Sequence, residues 1–514
     1  MDVEQIRTVG RVLPGFLDEF AGCFGRCDTR EYLKVYTKGQ MSDLQRKSVE
    51  PMALRAGVPP RSLQAFLGFL SWDELRLVDR LQHIVVRDHA HPWAIGVADE
   101  TGCAKDGNHT ACVQRQWCGS LGKVENCVVS VHLGYAVGDF HCVLDSDLFV
   151  PESWANDEVR RQEVGIPEEV THRTKPQIAL AQIQRAIGNG VRVAAWTFDE
   201  HYGQSYEFLD ALDRLGQTYV AEVPCTFVGW VKEPDLLYRA TPQEMRGGSG
   251  KKRRGPRLAK TAASVSEVRN LLNHSPVFTE QPWTAVHLKD GEKGPIVREV
   301  KAARWFMRRH GLPTRAHWLI VTRHLSTGEL KFFVSNAPAG DPLEWLLHVA
   351  YSRWPIEQCF REEKDELGFD HFEVRGWQSI HRHLYLSQVS HLFLNRMRRK
   401  LVKEERTPAI EEPAELFFPP RRGESGVHPE HRRFGSGLSP GKLDGGADSV
   451  RAVAMVVGPP GGETRRTGHS PGRCRGGRLS SPAQHRREGQ PHADNVHRTV
   501  TTRRRRASNP LVFG

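Results

Sequence analysis

No stretch of this sequence holds enough consecutive apolar residues to cross a membrane, and its first 20 residues carry charges where a secretory signal would be apolar. We therefore expect neither a membrane protein nor a secreted one. Cysteine is sparse, at 10 of 514 residues. No second Cys or His pair follows Cys23 and Cys27 closely enough to predict a zinc finger. The sequence also lacks a G-x4-G-K-[ST] loop, so no nucleotide cofactor is expected.

Positive charge is concentrated at the C-terminal end. Residues 421–514 contain 18 of the 72 Lys and Arg residues but only 7 of the 61 Asp and Glu residues. The preceding 420 residues hold 54 side chains of each sign, so the formal charge of +11 describes the tail and not the body. The same segment has 16 of the 47 glycines. Because it can bury too little apolar surface to offset chain entropy, residues 404–514 are predicted to form a disordered basic tail.

The order of the apolar patterns predicts an α/β protein. Residues 1–90 place apolar residues at helical spacing and are predicted to form a helical domain. Residues 91–224 read as three strands, a helix, a strand, a helix and a strand. This is the order of a ribonuclease H-like mixed sheet flanked by helices. Residues 225–340 are predicted to be a β-rich insertion that interrupts the sheet, and residues 341–403 a helical completion of the core.

Two short helices flank a Gly-Val-Pro-Pro break at residues 57–60 of the helical region. In outline this pattern resembles a helix-turn-helix. An ordinary helical hairpin fits the same residues, and the sequence leaves both interpretations open.

Two aspartates, Asp99 in GVADETG and Asp199 in AAWTFDEHYG, are predicted at the ends of apolar strands. A carboxylate where a buried strand emerges into a loop is well placed to bind a hard cation, because the backbone fixes its position and the loop admits water and substrate. Aspartates at strand ends also commonly cap the following helix. For either residue alone, the capping interpretation stays open.

A third carboxylate lies in the segment YSRWPIEQCFREEKDELGFD, where Arg353, Glu357 and Lys364 have R-x3-E-x6-K spacing. Glu357 and Lys364 are separated by almost two helical turns and share one face of a predicted helix. Pro355 suits the first position of that helix, with Arg353 just outside it. A solvated helix with Glu–Arg and Glu–Lys pairs is the alternative.

The combination of Asp99, Asp199 and Glu357 is more informative than any one of them. Three carboxylates on such a sheet could bind two divalent ions about 3.5–4 Å apart, which would activate an attacking oxygen and stabilise a leaving oxygen at a phosphodiester. Oxygen ligands and retained waters suit Mg²⁺, so two Mg²⁺ ions are expected, with Mn²⁺ able to substitute.

The residues around Arg353, Glu357 and Lys364 resemble the Y-R-E-K signature of bacterial insertion-sequence transposases of the DDE type. Asp99 and Asp199 look like the first and second catalytic aspartates of these enzymes. The resemblance includes RQWCGSLGKVENC and GFDHFEVRGWQSIHRH and spans roughly residues 30–400. It implies a ribonuclease H-like core in which Asp99, Asp199 and Glu357 are the catalytic and metal-binding triad.

The resemblance also implies contacts with DNA. Arg353 and Lys364 would contact phosphate near the cleaved bond. Tyr351 would complete the signature, although one residue instead of two separates it from the arginine. Trp305 could stack on an unpaired base, with core packing as the alternative. The basic run Lys251, Lys252, Arg253 and Arg254 could contact phosphate or could simply be solvated.

The function that this resemblance implies is cleavage at insertion-element ends and strand transfer into target DNA. The partners would be double-stranded DNA and a second copy of the chain in an active homodimer, and residues 1–90 would bind DNA. The location would be the bacterial cytoplasm, at the nucleoid. The abrupt change of composition after Pro420 suggests an alternative, a decayed and catalytically inactive DNA-binding remnant or repressor. A basic tail that binds phosphate is the competing explanation of the same segment.

Overall fold

The computed structural model describes residues 3–237, 255–291 and 294–405. The predicted DNA contacts at Lys251, Lys252, Arg253 and Arg254 and the predicted tail beyond Glu405 lie outside the described residues.

The N-terminal region is helical, as predicted from its apolar spacing. Its helices are α1 (Val3–Asp18), α2 (Cys27–Gln40), α3 (Val49–Ala56), α4 (Pro60–Gly68) and α5 (Glu74–His89), with a 3-10 turn at Ala21–Cys23. Gly57 ends α3 in the left-handed conformation at φ 68°, and Pro60 begins α4. The Gly-Val-Pro-Pro break therefore separates two helices as expected.

The core sheet has the strand order of a ribonuclease H-like fold, which confirms the predicted fold class. Its strands are β1 (Ile95–Ala104), β2 (Gln114–Cys118), β3 (Lys123–Val137), β4 (Phe140–Leu148), β5 (Ala195–Phe198) and β6 (Tyr219–Val223). The spatial order is β4-β3-β1-β5-β6. Strand β3 is antiparallel to β1 and β4, whereas β5 is parallel to both β1 and β6.

Helices connect these strands. They are α6 (Glu152–Ala155), α7 (Glu158–Val164), α8 (Lys175–Gly188), α9 (Glu200–Gly203) and α10 (Tyr206–Arg214). A capping box formed by Thr174 and Gln177 fixes the start of α8. Strand β2 and the short helices α6 and α7 were not expected from the sequence.

The region between the core and the last helices contains mostly strands. Its elements are β7 (Val228–Trp230), β8 (Leu236–Leu237), β9 (Arg257–Leu258), β10 (Ser266–Glu267), α11 (Val268–His274), α12 (Pro276–Thr279), β11 (Thr284–Gly291), β12 (Gly294–Arg309), β13 (Leu312–His324) and β14 (Leu330–Ser335). Strand β14 pairs antiparallel with β6, so the insertion continues the core sheet. Among the described residues, the sheet reaches 12 strands.

Three helices complete the structure: α13 (Leu343–Ala350), α14 (Trp354–Leu367) and α15 (Trp377–Glu405). Helix α15 contacts β4 on one side and the N-terminal helices on another. Buried polar contacts join these layers, including the Tyr36 hydroxyl 2.7 Å from His383 Nδ1. Within the described part of the chain, no helix has the length and apolarity to span a bilayer.

Candidate active site

Two aspartates and a glutamate form a row across three neighbouring strands. The parallel register pairs Val97 with Thr197 and Thr197 with Val220. Two residues further along the chain stand Asp99 in β1, Asp199 directly after β5, and Glu222 in β6. Because side chains two residues apart point to the same face, the three carboxylates face the same side of the sheet. Glu222 was not anticipated from the sequence, although it stands near the end of the apolar strand TYVAEVP.

Asp99 does not end its strand, so the prediction was wrong about its setting. Strand β1 continues to Ala104, and Asp99 pairs with His132 of β3. On its other side β1 loses its partner, because β5 stops at Phe198. This one-sided gap in the pairing opens the sheet beside Asp99 just as a strand end would.

Asp199 follows β5 and caps α9, since its Oδ1 accepts a hydrogen bond of 3.2 Å from the backbone N–H of Tyr202. The capping interpretation is therefore correct for this residue. It is also compatible with a functional role, because the cap uses one carboxylate oxygen and leaves the other available.

Glu357 lies in the first turn of α14. The helix begins at Trp354, one residue earlier than expected, and Arg353 occupies its N-cap position. Helix α14 lies close against β3, because a Cβ at Gly134 would stand 2.7 Å from Ile356 Cδ1. The Glu357 side chain is 58% exposed, so it is available to solvent and ligands.

The Arg353 guanidinium brings the carboxylates together. Its Nη2 lies 3.4 Å from Asp99 Oδ2 and 3.8 Å from Glu357 Oε1, and its Nη1 lies 3.7 Å from Glu222 Oε2. Asp199 also interacts electrostatically with this guanidinium. One side chain therefore stands among carboxylates from β1, β6 and α14, so these remote positions along the chain converge.

The carboxylates of this row carry more negative charge than the nearby Arg353 guanidinium can neutralise. Burial raises the pKa of the Asp99 carboxyl to about 7; Arg353 opposes the shift, and the charges of Asp199 and Glu100 add to it. Burial also raises the pKa of Asp199. The donors are all carboxylate oxygens, the ligands that Mg²⁺ prefers, so the residues present fit a divalent cation.

A sequence model described as DDE superfamily endonuclease matches residues 19–295, more than half of the chain. The chain belongs to this superfamily. The matched stretch contains Asp99 and Asp199 and ends before Glu357. Endonucleases of this superfamily generally use divalent metal ions, which agrees with the donor set of the carboxylate row.

The probable transposase for insertion sequence element IS701 of Microchaete diplosiphon is 31% identical to this DDE superfamily member over 216 residues, 40% of this chain and 53% of the relative. The match thus spans about half the length of that curated relative. The family match and this relative confirm the predicted resemblance to insertion-sequence transposases of the DDE type. Among solved structures, the piggyBac transposase synaptic complex with hairpin DNA aligns with a TM-score of 0.38 at 9% identity, covering 74% of this chain and 67% of that chain.

The other members of the Y-R-E-K signature lie apart from the carboxylates. Lys364 Nζ donates hydrogen bonds of 2.7 Å to Thr101 Oγ1 and 3.3 Å to the Gly102 carbonyl oxygen. The Tyr351 hydroxyl lies 2.8 Å from the Thr322 hydroxyl on β13. Contact of Tyr351 and Lys364 with DNA stays a prediction.

Trp305 is fully buried. Its ring packs so closely on Gly229 that a Cβ at that position would lie only 2.3 Å from Trp305 Cζ3. The structure thus agrees with core packing, the alternative that the sequence left open. The prediction that Trp305 stacks on a base is corrected on this ground, since a ring without exposed surface cannot reach DNA.

Polar neighbours that sequence reasoning missed support the row. Glu100 Oε1 accepts a 2.5 Å hydrogen bond from Lys175 Nζ, and its Oε2 accepts a 2.8 Å bond from the Tyr202 hydroxyl. Tyr202 is fully buried. The Tyr202 bond holds helix α9, which follows Asp199, against β1. Glu100 directly follows Asp99, but its partners lie 75 and 102 residues away, which no local pattern indicates.

The pH dependence of stability should reveal the buried Asp99. Its raised pKa means that the folded state favours the protonated acid, so the free energy of unfolding falls as pH rises from about 4 to 7. In EDTA, we expect Asp99 to contribute a loss on the order of 2 kcal/mol between pH 5 and 8. When the free energy of unfolding is measured in urea at several pH values, Asp99→Asn should lack this part of the decrease with pH.

The matched control is Asp139→Asn, because the Asp139 side chain is 64% exposed in the β3–β4 turn. It should keep the wild-type slope. Equal slopes for wild type and Asp99→Asn would contradict the burial of a charge at position 99.

Gly203 lets α9 approach β6. A Cβ at this position would stand 1.8 Å from the Glu222 carbonyl oxygen, a backbone atom that cannot move alone. We expect Gly203→Ala to lower the free energy of unfolding by about 2 kcal/mol or more. The control is Gly188→Ala at the end of α8, where nothing lies within 4 Å and alanine should be neutral or stabilising. Urea unfolding of both variants measures the difference, and equal stabilities would refute the clash.

Proposed function

We propose that this protein is a DNA transposase that cleaves at the ends of an insertion element and joins them to target DNA. The observation that carries the proposal is the carboxylate row with Glu357 above it, in a chain of the DDE endonuclease superfamily. Asp99, Asp199 and Glu357 are the proposed catalytic and metal-binding residues. Two Mg²⁺ ions are the proposed cofactors, with Mn²⁺ able to substitute.

The proposed chemistry needs positioning and charge neutralisation more than a side-chain nucleophile. When bound, the cations would neutralise part of the negative charge on the phosphate, activate the attacking oxygen and stabilise the leaving oxygen. Asp99 and Asp199 hold their oxygens on adjacent parallel strands, so their spacing is set by the sheet. Glu357 approaches from a helix and can adjust to DNA, because its side chain is largely exposed.

The two steps are hydrolysis of one phosphodiester and transesterification of another. In cleavage, water attacks phosphorus and its proton passes to solvent, and the 3′ oxygen of the element end departs as a hydroxyl. In strand transfer, that 3′-OH attacks a target phosphodiester and displaces another 3′ oxygen, so the number of ester bonds is unchanged. We propose that Arg353 moves from the carboxylates to the phosphate once cations bind, because its guanidinium suits bidentate phosphate recognition.

The proposed partners follow from this reaction. They are double-stranded DNA of the element ends and of the target, and a second copy of the chain, since two ends must be processed together. Residues 1–90 are the proposed DNA-binding domain, through α3 and α4. The proposed place of action is the bacterial nucleoid.

The test uses the DNA that flanks the gene. Purified protein should be incubated with Mg²⁺, a labelled duplex of the flanking inverted repeat and a target plasmid. We expect a nick at the repeat end and labelled joined plasmid. Binding without nicking would favour an inactive remnant or repressor, and nicking without joining would leave a nuclease alone.

A further inference from the structure

A second group of candidate metal ligands lies behind the helix that carries Glu357. His141 comes from β4, Cys359 from α14 and His391 from α15. One ligand atom from each residue lies within 4.8 Å of the others, and all three residues are buried. Ligand atoms around a tetrahedral zinc ion are about 3.3–3.8 Å apart, so small side-chain rotations would bring these atoms onto one ion.

This cluster is separate from the carboxylate row. Glu357 and Cys359 are two residues apart on α14, about 200° around the helix, so they face nearly opposite sides. The Glu357 side chain is 58% exposed, whereas Cys359 is 1% exposed. The cluster therefore faces the interior, between α14, β4 and α15.

Glu362 is arranged as the hydrogen-bonding partner of both imidazoles. Its Oε2 lies 3.0 Å from His141 Nε2 and 2.9 Å from His391 Nε2. Its Oε1 accepts bonds of 2.7 Å from Gln358 Nε2 and 3.1 Å from Arg398 Nη1. Metal-binding histidines characteristically donate their second ring N–H to a carboxylate, which fixes the ring and its tautomer.

His391 provides a second observation that points to a ligand. The residue is fully buried, and its Nδ1 has no hydrogen-bond partner among the described residues. Asn395 Nδ2 also lies 2.9 Å from His391 Nε2. In the tautomer in which Nε2 donates to Glu362, Nδ1 carries a lone pair inside the protein, and such a lone pair is costly unless something binds it. Cys359 is a free thiol in the same interior space.

We propose that His141, Cys359 and His391 supply three ligands of a bound Zn²⁺ ion, with Glu362 orienting the imidazoles. Two imidazole nitrogens and a thiolate are ligands for zinc and not for Mg²⁺, so this site and the carboxylate row select different ions. Binding releases the thiol proton to solvent and forms a Zn–S bond. The ion would tie α14 to β4 and α15, and so fix the helix that presents Glu357. This inference does not depend on the proposed transposase reaction.

The competing arrangement is a metal-free network, in which Glu362 balances Arg398 and accepts hydrogen bonds from both histidines, while Arg398 Nη2 lies 3.4 Å from His141 Nδ1. Zinc binding through that nitrogen requires the Arg398 side chain to turn away from it. The two arrangements differ in zinc content, which can be measured directly. Tag-free full-length protein should be dialysed against EDTA and analysed by plasma mass spectrometry. We expect about one tightly held zinc ion per chain in the wild type and less than about a tenth of that in Cys359→Ser.

Two controls separate this site from other cysteines and from the carboxylates. Cys127→Ser, at an equally buried thiol on β3, should keep its zinc, as should Asp99→Asn. Replacement of zinc by Co²⁺ should produce a thiolate-to-metal charge-transfer band in the wild type that Cys359→Ser lacks. If Cys359→Ser does not fold, His141→Gln takes its place in the same zinc analysis, and its zinc content should fall to the same extent. Wild-type protein that retains no zinc after incubation with Zn²⁺, or full zinc in folded Cys359→Ser, would overturn the proposal.

Discussion

Replacing Asp199 with asparagine is expected to reduce Mg²⁺-dependent nicking of element-end DNA about 1000-fold or more. The substitution keeps the cap on α9, because the amide oxygen can still accept from the Tyr202 N–H. It removes the negative charge that would hold a cation at the phosphate, a contribution of several kcal/mol to the transition state. Initial rates of nicking on labelled duplex measure the loss, and a gel shift without Mg²⁺ should show unchanged DNA binding.

The control for this prediction is Asp145→Asn. Asp145 is another buried aspartate, on β4, and burial raises the pKa of its carboxyl to about 7 as well. It lies near Arg185, outside the carboxylate row. Asp145→Asn should nick at the wild-type rate. Equal losses in the two variants would mean that buried charge, and not the site, explains the effect.

Replacing Arg353 with glutamine is expected to destabilise the protein in EDTA by about 3–5 kcal/mol. The Arg353 side chain is 22% exposed and lies 3.4–3.8 Å from carboxylates of β1, β6 and α14. Its loss leaves the buried Asp99 without its paired cation, whereas Glu222 keeps its 2.9 Å bond from Lys331 Nζ and Glu357 is largely exposed to water. Mg²⁺ should restore much of this stability, because a cation replaces the missing charge. Urea unfolding with EDTA and with Mg²⁺ measures both effects, and the gain from Mg²⁺ should be larger than in the wild type.

Arg46→Gln is the matched control, since Arg46 pairs with Glu373 at the surface, where the two side chains are 62% and 55% exposed. Loss of such a pair should cost less than about 1 kcal/mol. If Arg353→Gln were no less stable than this control in EDTA, the guanidinium would not be the neutralising group of the site.

The order of the core elements could be predicted because it rests on local patterns. The apolar run before Asp199 predicts a strand, and the amphipathic segment of α8 predicts a helix, each from its own residues alone. The setting of Asp99 was predicted wrongly, because the polar residues after it pair with the long strand β3, 30 residues further along. The choice of Asp99, Asp199 and Glu357 as a set depended on a family resemblance. Their proximity in space could be seen only in the structure.

The remaining features depend on pairing between distant segments. The position of Glu222 beside Asp199 follows from the register of β5 with β6, and β14 joins that sheet from 110 residues further on. The contacts of Glu362 with His141 and Arg398 join residues from three elements. No periodicity within one segment encodes such neighbours.

Helix α15 also determines when this chain can finish folding. Gln40 in α2 exchanges buried hydrogen bonds of 2.7 Å with Ser387 and 2.8 Å with Ser390, about 350 residues away. During synthesis the N-terminal helices leave the ribosome long before these partners exist, so their apolar faces stay exposed for most of translation. Nascent chains arrested before Trp377 should therefore recruit chaperones at the N-terminal helices, and chains extended past Glu405 should release them.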